Sequence, residues 1–107
     1  MKILVALLVL ISIPSVVLAA SDEGTIKTLY TDTAGNLAVQ LGSGFPNSVA
    51  ANECSTYNGW AGVSTTVNSA LKAALLSAEA SQSPVLLSIS GCEAGGAWLK
   101  ITAVYVK

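Results

Sequence analysis

The sequence predicts a single, mainly β domain with one helix, in the order β-β-β-α-β-β. Three observations support this fold class. Short segments rich in β-branched and aromatic residues recur along the chain and are separated by turn residues. One segment follows a helical period instead. The length of 107 residues leaves room for one domain only.

Residues 1–19 are predicted to be a signal peptide that does not belong to the fold. Lys2 provides a charged start, a run of nine apolar residues follows, and Pro14 precedes a small-residue exit. We expect cleavage after Ala19, or one residue later. Cleavage would leave an exported domain of residues 20–107, in the periplasm or secreted, with no further membrane association. An uncleaved anchor is the alternative, because the apolar stretch could nearly cross a bilayer.

Three strands are predicted in the first half of the domain, separated by segments that contain Gly and Asn. In the second strand, strict alternation turns Leu37, Val39 and Leu41 towards the core. The predicted segments are, in order, a frayed lead-in at 20–24, a strand at 25–31, a turn at 32–36, a strand at 37–41, a loop at 42–59 and a strand at 60–64.

A helix is predicted from Val67 to Ala80, with Thr65 or Thr66 as its N-cap and Ser83-Pro84 at its end. At 100° per residue, a core-facing stripe contains Val67, Leu71, Ala74, Leu75 and Ala78. The opposite side groups Ala73, Leu76 and Ala80. That side is either an ordinary exposed surface or a contact between helices of neighbouring subunits.

Two further strands, 85–91 and 98–106, complete the predicted domain. Alternation in the first of them places Val85, Leu87 and Ile89 on one face. Phe45 of the predicted loop 42–59 and Tyr105 of the last predicted strand are interpreted as core or turn residues.

Cys54 and Cys92 are predicted to form a disulfide, because they are an even pair in a chain that carries an export signal. Closing a loop of about 38 residues stabilises a domain by roughly 4 kcal/mol in the chain-entropy model. That is comparable to the net stability of so small a domain. A reactive thiol is the alternative, but the chain has no His or Arg that could activate it.

The composition excludes most kinds of site chemistry. The chain has no His and no Arg, and its formal net charge is −1. Without His there is no catalytic triad and no common zinc set. Without Arg, and with four scattered Lys against six acidic residues after the signal, counterion release cannot drive nucleic-acid binding. We therefore expect no catalysis, no cofactor, no metal and no nucleic-acid partner.

Two acidic residues adjoin the cysteines. A Cys54–Cys92 disulfide would bring Glu53 and Glu93 near each other, where two carboxylates could hold a hard cation. Ordinary solvated loop charges are the commoner interpretation of such residues.

The predicted order of elements is that of the oligonucleotide/oligosaccharide-binding (OB) fold, a five-stranded Greek-key barrel with a helix between strands three and four. A plain antiparallel sheet with one helix would give a similar pattern. Segments 69–78, 84–92 and 98–106, together with Gly24-Thr25-Ile26 upstream, resemble small exported bacterial proteins related to the binding subunits of subtilase-type pentameric toxins. The resemblance implies an oxidised barrel that assembles as a ring, with helices lining its centre, and that binds glycans.

Aromatic residues are the only indication of a ligand site. Tyr57, Asn58 and Trp60 lie in or just after the long loop, and Trp98 follows the glycine-rich loop 93–96. Exposed Trp and Tyr side chains can stack on sugar rings or anchor a protein interface. Alternatively, both Trp side chains cover the ends of the barrel, with Trp98 against the disulfide.

Together these features predict an exported, non-enzymatic, disulfide-bonded binding module that recognises a cell-surface glycan or protein and forms a homo-oligomeric ring through its helix. A monomeric periplasmic inhibitor or structural accessory protein is the alternative.

Overall fold

A computed structural model describes residues 20–93 and 96–107 and confirms a mainly β domain. The predicted signal peptide, 1–19, lies outside the described residues, as do Ala94 and Gly95 of the predicted glycine-rich loop. The elements are β1 (Ala20–Thr31), β2 (Leu37–Leu41), α1 (Pro46–Ala50), β3 (Ala61–Val63), α2 (Ser69–Ser81), β4 (Pro84–Cys92) and β5 (Leu99–Val106).

The five strands form one sheet that closes on itself. They pair in the order β1-β2-β3-β5-β4, and β4 pairs again with β1. All the pairs are antiparallel except β3 with β5, which is parallel. The long strand β1 makes closure possible, because its residues 20–25 pair with β4 and its residues 26–31 pair with β2.

Aliphatic side chains fill the inside of the closed sheet. The predicted inward residues of β2 and β4 are all buried, as the alternating pattern requires. From α2, Leu75 and Ala78 are buried, and Leu71 packs partly against the same cluster, which confirms the predicted core stripe of the helix. Phe45 is buried, as predicted, and is the one phenylalanine of the chain.

The prediction of a frayed lead-in at 20–24 is wrong, since these residues form the first half of β1. Ala20 pairs with Ile89, and Gly24 pairs with Val85. Asp22 is buried, and it accepts hydrogen bonds from the backbone N–H groups of Asn47 (2.9 Å) and Ser48 (3.0 Å). The Ser48 hydroxyl donates a third, of 2.6 Å. These bonds cap α1, whose own N-cap residue makes no side-chain cap bond.

The predicted loop 42–59 contains the short helix α1, which begins at Pro46. The predicted N-cap of the main helix is also wrong. Asn68 caps α2, with its side-chain oxygen accepting from the N–H of Ala70 at 2.7 Å. Thr66 is instead within hydrogen-bond distance of Ser64, 3.1 Å between the hydroxyl oxygens. Asn is at least as good an N-cap as Thr, so N-cap propensity alone did not favour a helix that begins before Ser69.

The interpretation of Tyr105 as a core or turn residue is wrong, because its side chain is 56% exposed. Partners along β4 and β5 run from Ser88 with Ala103 directly to Ile89 with Ile101, so Thr102 is an extra residue on β5. This bulge reverses the alternation beyond it. Val104 therefore packs on the core, and Tyr105 points outward.

Candidate functional site: an aromatic surface

Three aromatic side chains meet on the outside of the closed sheet. The ring centroid of Tyr30 lies 6.2 Å from that of Trp60 and 5.8 Å from that of Trp98. The interplanar angles are 66° and 73°, so both contacts are edge-to-face. We call Tyr30, Trp60 and Trp98 the aromatic surface. It includes both Trp residues of the chain.

The aromatic surface lies over the smallest residues of β2 and β3. In the strand register, Tyr30 pairs with Ala38 and Ala38 pairs with Gly62. Ala61 and Val63 belong to the core, so Gly62 between them faces outward. A Cβ atom on Gly62 would lie 2.5 Å from Cε3 of Trp98 and 2.6 Å from the backbone oxygen of Leu37. Only glycine at this position lets the indole ring lie against the sheet.

Each ring of the aromatic surface remains accessible. Tyr30 is 42% exposed, and Trp60 and Trp98 are half-buried. Ala38 is buried although it points away from the core, consistent with its place beneath these rings. Trp98 therefore covers the backbone of β3 and leaves part of its side chain exposed.

The turn between β1 and β2 fixes the polar end of Tyr30. Its hydroxyl donates to Asp32 Oδ2 at 2.9 Å. Asp32 Oδ1 accepts from the backbone N–H groups of Ala34 (3.0 Å) and Asn36 (3.1 Å). The hydrogen bond from the Asn36 side chain lowers the pKa of Asp32. The hydrogen bond to that carboxylate raises the pKa of Tyr30, so at neutral pH the tyrosine keeps its proton and its orientation.

The main helix braces the same turn. Lys72 of α2 donates a hydrogen bond from Nζ to the backbone oxygen of Gly35 at 2.6 Å. The bond joins the helix to the tip of the turn between β1 and β2, so Lys72 holds this turn in place.

Two segments, 54–60 and 96–98, carry the Trp residues and run side by side. Thr56 donates from its hydroxyl to the backbone oxygen of Gly96 at 2.5 Å. The N–H of Asn58 donates to Ala97 at 2.9 Å, and the N–H of Leu99 donates to Trp60 at 2.9 Å. The pairing continues into the parallel pair of β3 and β5. We call 54–60 and 96–98 the tryptophan segments.

The predicted disulfide is present beside the tryptophan segments, and its Cys92 pairs with Leu99, the residue after Trp98. Cys54 and Cys92 are joined with an S–S distance of 2.02 Å. Cys54 is buried, and Cys92 is exposed. The disulfide links the loop before β3 to the end of β4, at the start of the chain that leads to Trp98.

The other two predicted binding residues, Tyr57 and Asn58, make contacts of a different kind. Tyr57 packs edge-to-face on Phe45, with ring centroids 6.2 Å apart. Burial raises the pKa of Tyr57, and the charge of Asp22 adds to the effect. Asn58 is exposed, and its backbone joins the two tryptophan segments. Their role in binding stays a prediction.

Tyr30 was missed by the sequence reasoning, although a signal for it exists. Ile26 and Leu29 both pack on the core, yet they are three residues apart, which a regular strand cannot place on one face. Partners along β1 run from Ile26 with Leu41 directly to Thr28 with Gln40, so Lys27 is an extra residue. This bulge turns Tyr30 outward.

Each acidic residue beside the disulfide takes part in hydrogen bonds with the end of β4 or the turn that follows it. Glu53 accepts a hydrogen bond from the N–H of Gly91 at 3.0 Å. The backbone of Glu93 bonds to Trp98 and Gly96 within the turn between β4 and β5. Within 20–93 and 96–107, no group of three or more metal-ligating side chains comes together.

Comparison with protein-family models, curated proteins and solved structures finds no match to the chain. In the described part of the chain, no helix has both the length and the apolar character that crossing a membrane requires.

Proposed function

We propose that this protein is an exported, non-enzymatic recognition module that binds a cell-surface glycan or protein through the aromatic surface. One observation carries the proposal. Both Trp residues and an exposed Tyr gather in direct contact outside the sheet, while the core is built almost entirely from aliphatic side chains. A folding role alone would favour burial of such large apolar rings.

The arrangement of the rings supports recognition of an extended ligand. Centroid distances of 5.8 and 6.2 Å are those of rings in contact, so a ligand would lie across the rings rather than between them. Gly62 and the Asp32 turn fix the rings before binding. Such preorganisation reduces the entropy lost when a sugar or a protein loop is bound.

The proposal includes an OB-fold, Greek-key barrel. Support comes from the pairing order β1-β2-β3-β5-β4, the parallel pair β3 and β5, and a helix between β3 and β4. In this arrangement the aromatic surface would lie across β1, β2 and β3.

Export is proposed from the leader-like segment 1–19 and is supported by the disulfide, since such bonds persist in oxidising compartments. Mass spectrometry of the protein recovered from cells tests it. A chain that begins at Ala20 or Ser21 supports export with cleavage of the leader, whereas an intact chain that begins at Met1 contradicts cleavage.

Assembly as a ring through α2 is proposed from the exposed apolar side of the helix. Leu76 is 47% exposed, and Ala73 and Ala80 on the same side are exposed as well. Light scattering tests this assembly. A mass of five subunits supports the ring, and a monomer favours the inhibitor or accessory role instead.

Binding to intact cells tests the proposed function directly. We expect the wild-type protein to bind, and Trp60→Ala and Trp98→Ala to lose most of that binding. Tyr105→Ala is the matched control, because Tyr105 is also exposed but lies five residues beyond Lys100, the partner of Gly62. At about 3.3 Å per residue, that distance is about 17 Å.

Two treatments of the cells distinguish the ligand classes. Periodate oxidation destroys the vicinal diols of glycans, and protease digestion removes surface proteins. Loss of binding after periodate alone identifies a glycan, and loss after protease alone identifies a protein. Equal binding by the wild type and both Trp variants would contradict the role of the aromatic surface.

A further inference from the structure

We propose that the Cys54–Cys92 disulfide is a redox-sensitive staple that controls the aromatic surface. Reduction separates the tryptophan segments and abolishes binding there, while the closed sheet stays folded. The inference deepens the proposed function and, for its binding part, rests on it.

The position of the disulfide supports this role. Each cysteine precedes a Trp by six residues, Cys54 before Trp60 and Cys92 before Trp98. The chain from Cys54 leads on to β3, whereas the chain from Cys92 turns back into β5: the N–H of Glu93 donates to the backbone oxygen of Trp98, and Cys92 pairs with Leu99. The covalent link therefore ties the segment that carries Trp60 to the β4–β5 turn that carries Trp98.

Few other contacts join the two segments. The described hydrogen bonds between them link Thr56 to Gly96, Asn58 to Ala97, and Leu99 to Trp60. A single hydrogen bond near the surface stabilises a contact only weakly, because water competes for both partners. Tyr57 holds its segment towards Phe45, on the side of α1. Without the disulfide, one segment stays with α1 and the other with β5.

The closed sheet does not depend on the disulfide in the same way. β1 pairs with β2 and β4 over its whole length, and β4 pairs with β5 from Val85 to Cys92. β3, which the segment 54–60 precedes, has three residues and pairs with β5 through Ala61 and Gly62 only. Reduction thus acts where the pairing is weakest.

A dithiol reductant, such as a redox protein of the envelope, supplies the chemistry. Its thiolate attacks Sγ of the exposed Cys92, a mixed disulfide forms, and the sulfur of the buried Cys54 leaves as a thiolate. The second thiol of the reductant then displaces Cys92. The reductant becomes a disulfide, and this chain gains two electrons and two protons.

Thr56 couples this reaction to the separation of the segments. Its hydroxyl oxygen lies 3.4 Å from Sγ of Cys54 and 3.7 Å from Sγ of Cys92, and its single proton is donated to Gly96. A Cys54 thiolate would compete with the Gly96 carbonyl for that proton. Cleavage of the disulfide therefore weakens the neighbouring contact as well.

Intrinsic fluorescence measures this event, because both Trp residues belong to the aromatic surface. The full-chain protein is reduced with dithiothreitol at low temperature, and thiol titration confirms two free cysteines. We expect Trp emission to shift to longer wavelength, near-UV circular dichroism to decrease, and cell binding to be lost. The far-UV spectrum should stay as in the oxidised protein.

The double variant Cys54→Ser/Cys92→Ser is the matched control. It should show the spectra of the reduced wild type and should not respond to dithiothreitol. Should the variant fail to fold, the reduced wild type still provides the test. Unchanged Trp emission after two thiols appear overturns the proposal. So does loss of the far-UV spectrum, which would make the disulfide a support of the whole fold.

The two proposals fail in different ways. If the oxidised protein binds no cells while reduction still shifts the Trp emission, the proposed function fails and the staple stands. If the emission shifts but the reduced protein binds cells as well as the oxidised protein does, control of binding by the disulfide is overturned and the proposed function stands.

Discussion

The two halves of β1 belong to one strand but serve opposite purposes. Before the bulge at Lys27, the strand turns Asp22 inward, where three hydrogen bonds satisfy it. After the bulge, the strand turns Tyr30 outward to the aromatic surface. One extra residue thus separates a half of the strand that contributes a buried side chain from a half that contributes Tyr30 to the aromatic surface.

The largest expected effect comes from the disulfide. Reduction should lower the free energy of unfolding by about 4 kcal/mol, because it removes the constraint on a loop of 38 residues in the unfolded chain. For a domain of this size, the melting temperature should fall by more than about 15 °C. Calorimetry with and without dithiothreitol measures it, and an unchanged melting temperature would contradict a stabilising role.

Asp22→Ala should have the next largest effect, a loss of about 3 kcal/mol, since three donors lose a buried charged acceptor. Urea unfolding measures the loss, and Asp22→Asn should recover part of it. Cell binding per folded molecule should not change, because Asp22 lies in the other half of β1. A loss of binding at full stability would contradict the division between the halves.

Gly62→Ala should cost about 2 kcal/mol and should also displace Trp98, because the added methyl group overlaps the ring and the backbone of Leu37. Trp emission should shift, and cell binding should fall. Gly96→Ala is the control, since a Cβ there meets no atom within 4 Å. Equal behaviour of the two variants would contradict the close approach of Trp98 to β3.

Tyr30→Phe should have the smallest effect, a loss of stability that is present at neutral pH and disappears at alkaline pH. Because the folded pKa of Tyr30 is raised above its ordinary value of 10.0, its contribution to stability is present below pH 10 and is lost as the pH rises through the folded pKa. The melting temperature of the variant should therefore fall less steeply than that of the wild type above pH 10. Tyr57→Phe is the comparison, because burial raises the pKa of Tyr57 without a hydrogen bond to Asp32.

The sequence predicted those parts of the fold that follow regular alternation. Leu37 and Leu87 are buried where period-two patterning places them, and Leu75 is buried where the helical period places it. The departures come from residues that interrupt these periods. Bulges at Lys27 and Thr102 reverse the faces of Tyr30 and Tyr105, and a reading that assumes regular strands cannot detect a reversal.

The candidate site was predicted only in part, for a related reason. Trp60 and Trp98 were predicted from residue type alone. They come together because Ala38 and Gly62 beneath them are small, and because both rings contact Tyr30, which lies 30 residues before Trp60 in the chain. Contacts so distant in sequence leave no local pattern. Asp22 was likewise assigned to a frayed end, because its partners Asn47 and Ser48 lie in α1, which is too short to show a helical period in the sequence.

A titration of the oxidised protein with glycans released from the surface of cells that it binds, read by Trp emission, tests the central claim most directly. Both Trp residues lie in the aromatic surface, so binding there must change the emission, and Trp98→Ala should remove most of the change. Calorimetry could instead detect binding of these glycans without a change in the Trp emission of the wild type, and with equal affinity for the wild type and Trp98→Ala. In that case the ligand binds elsewhere, and the central claim is contradicted.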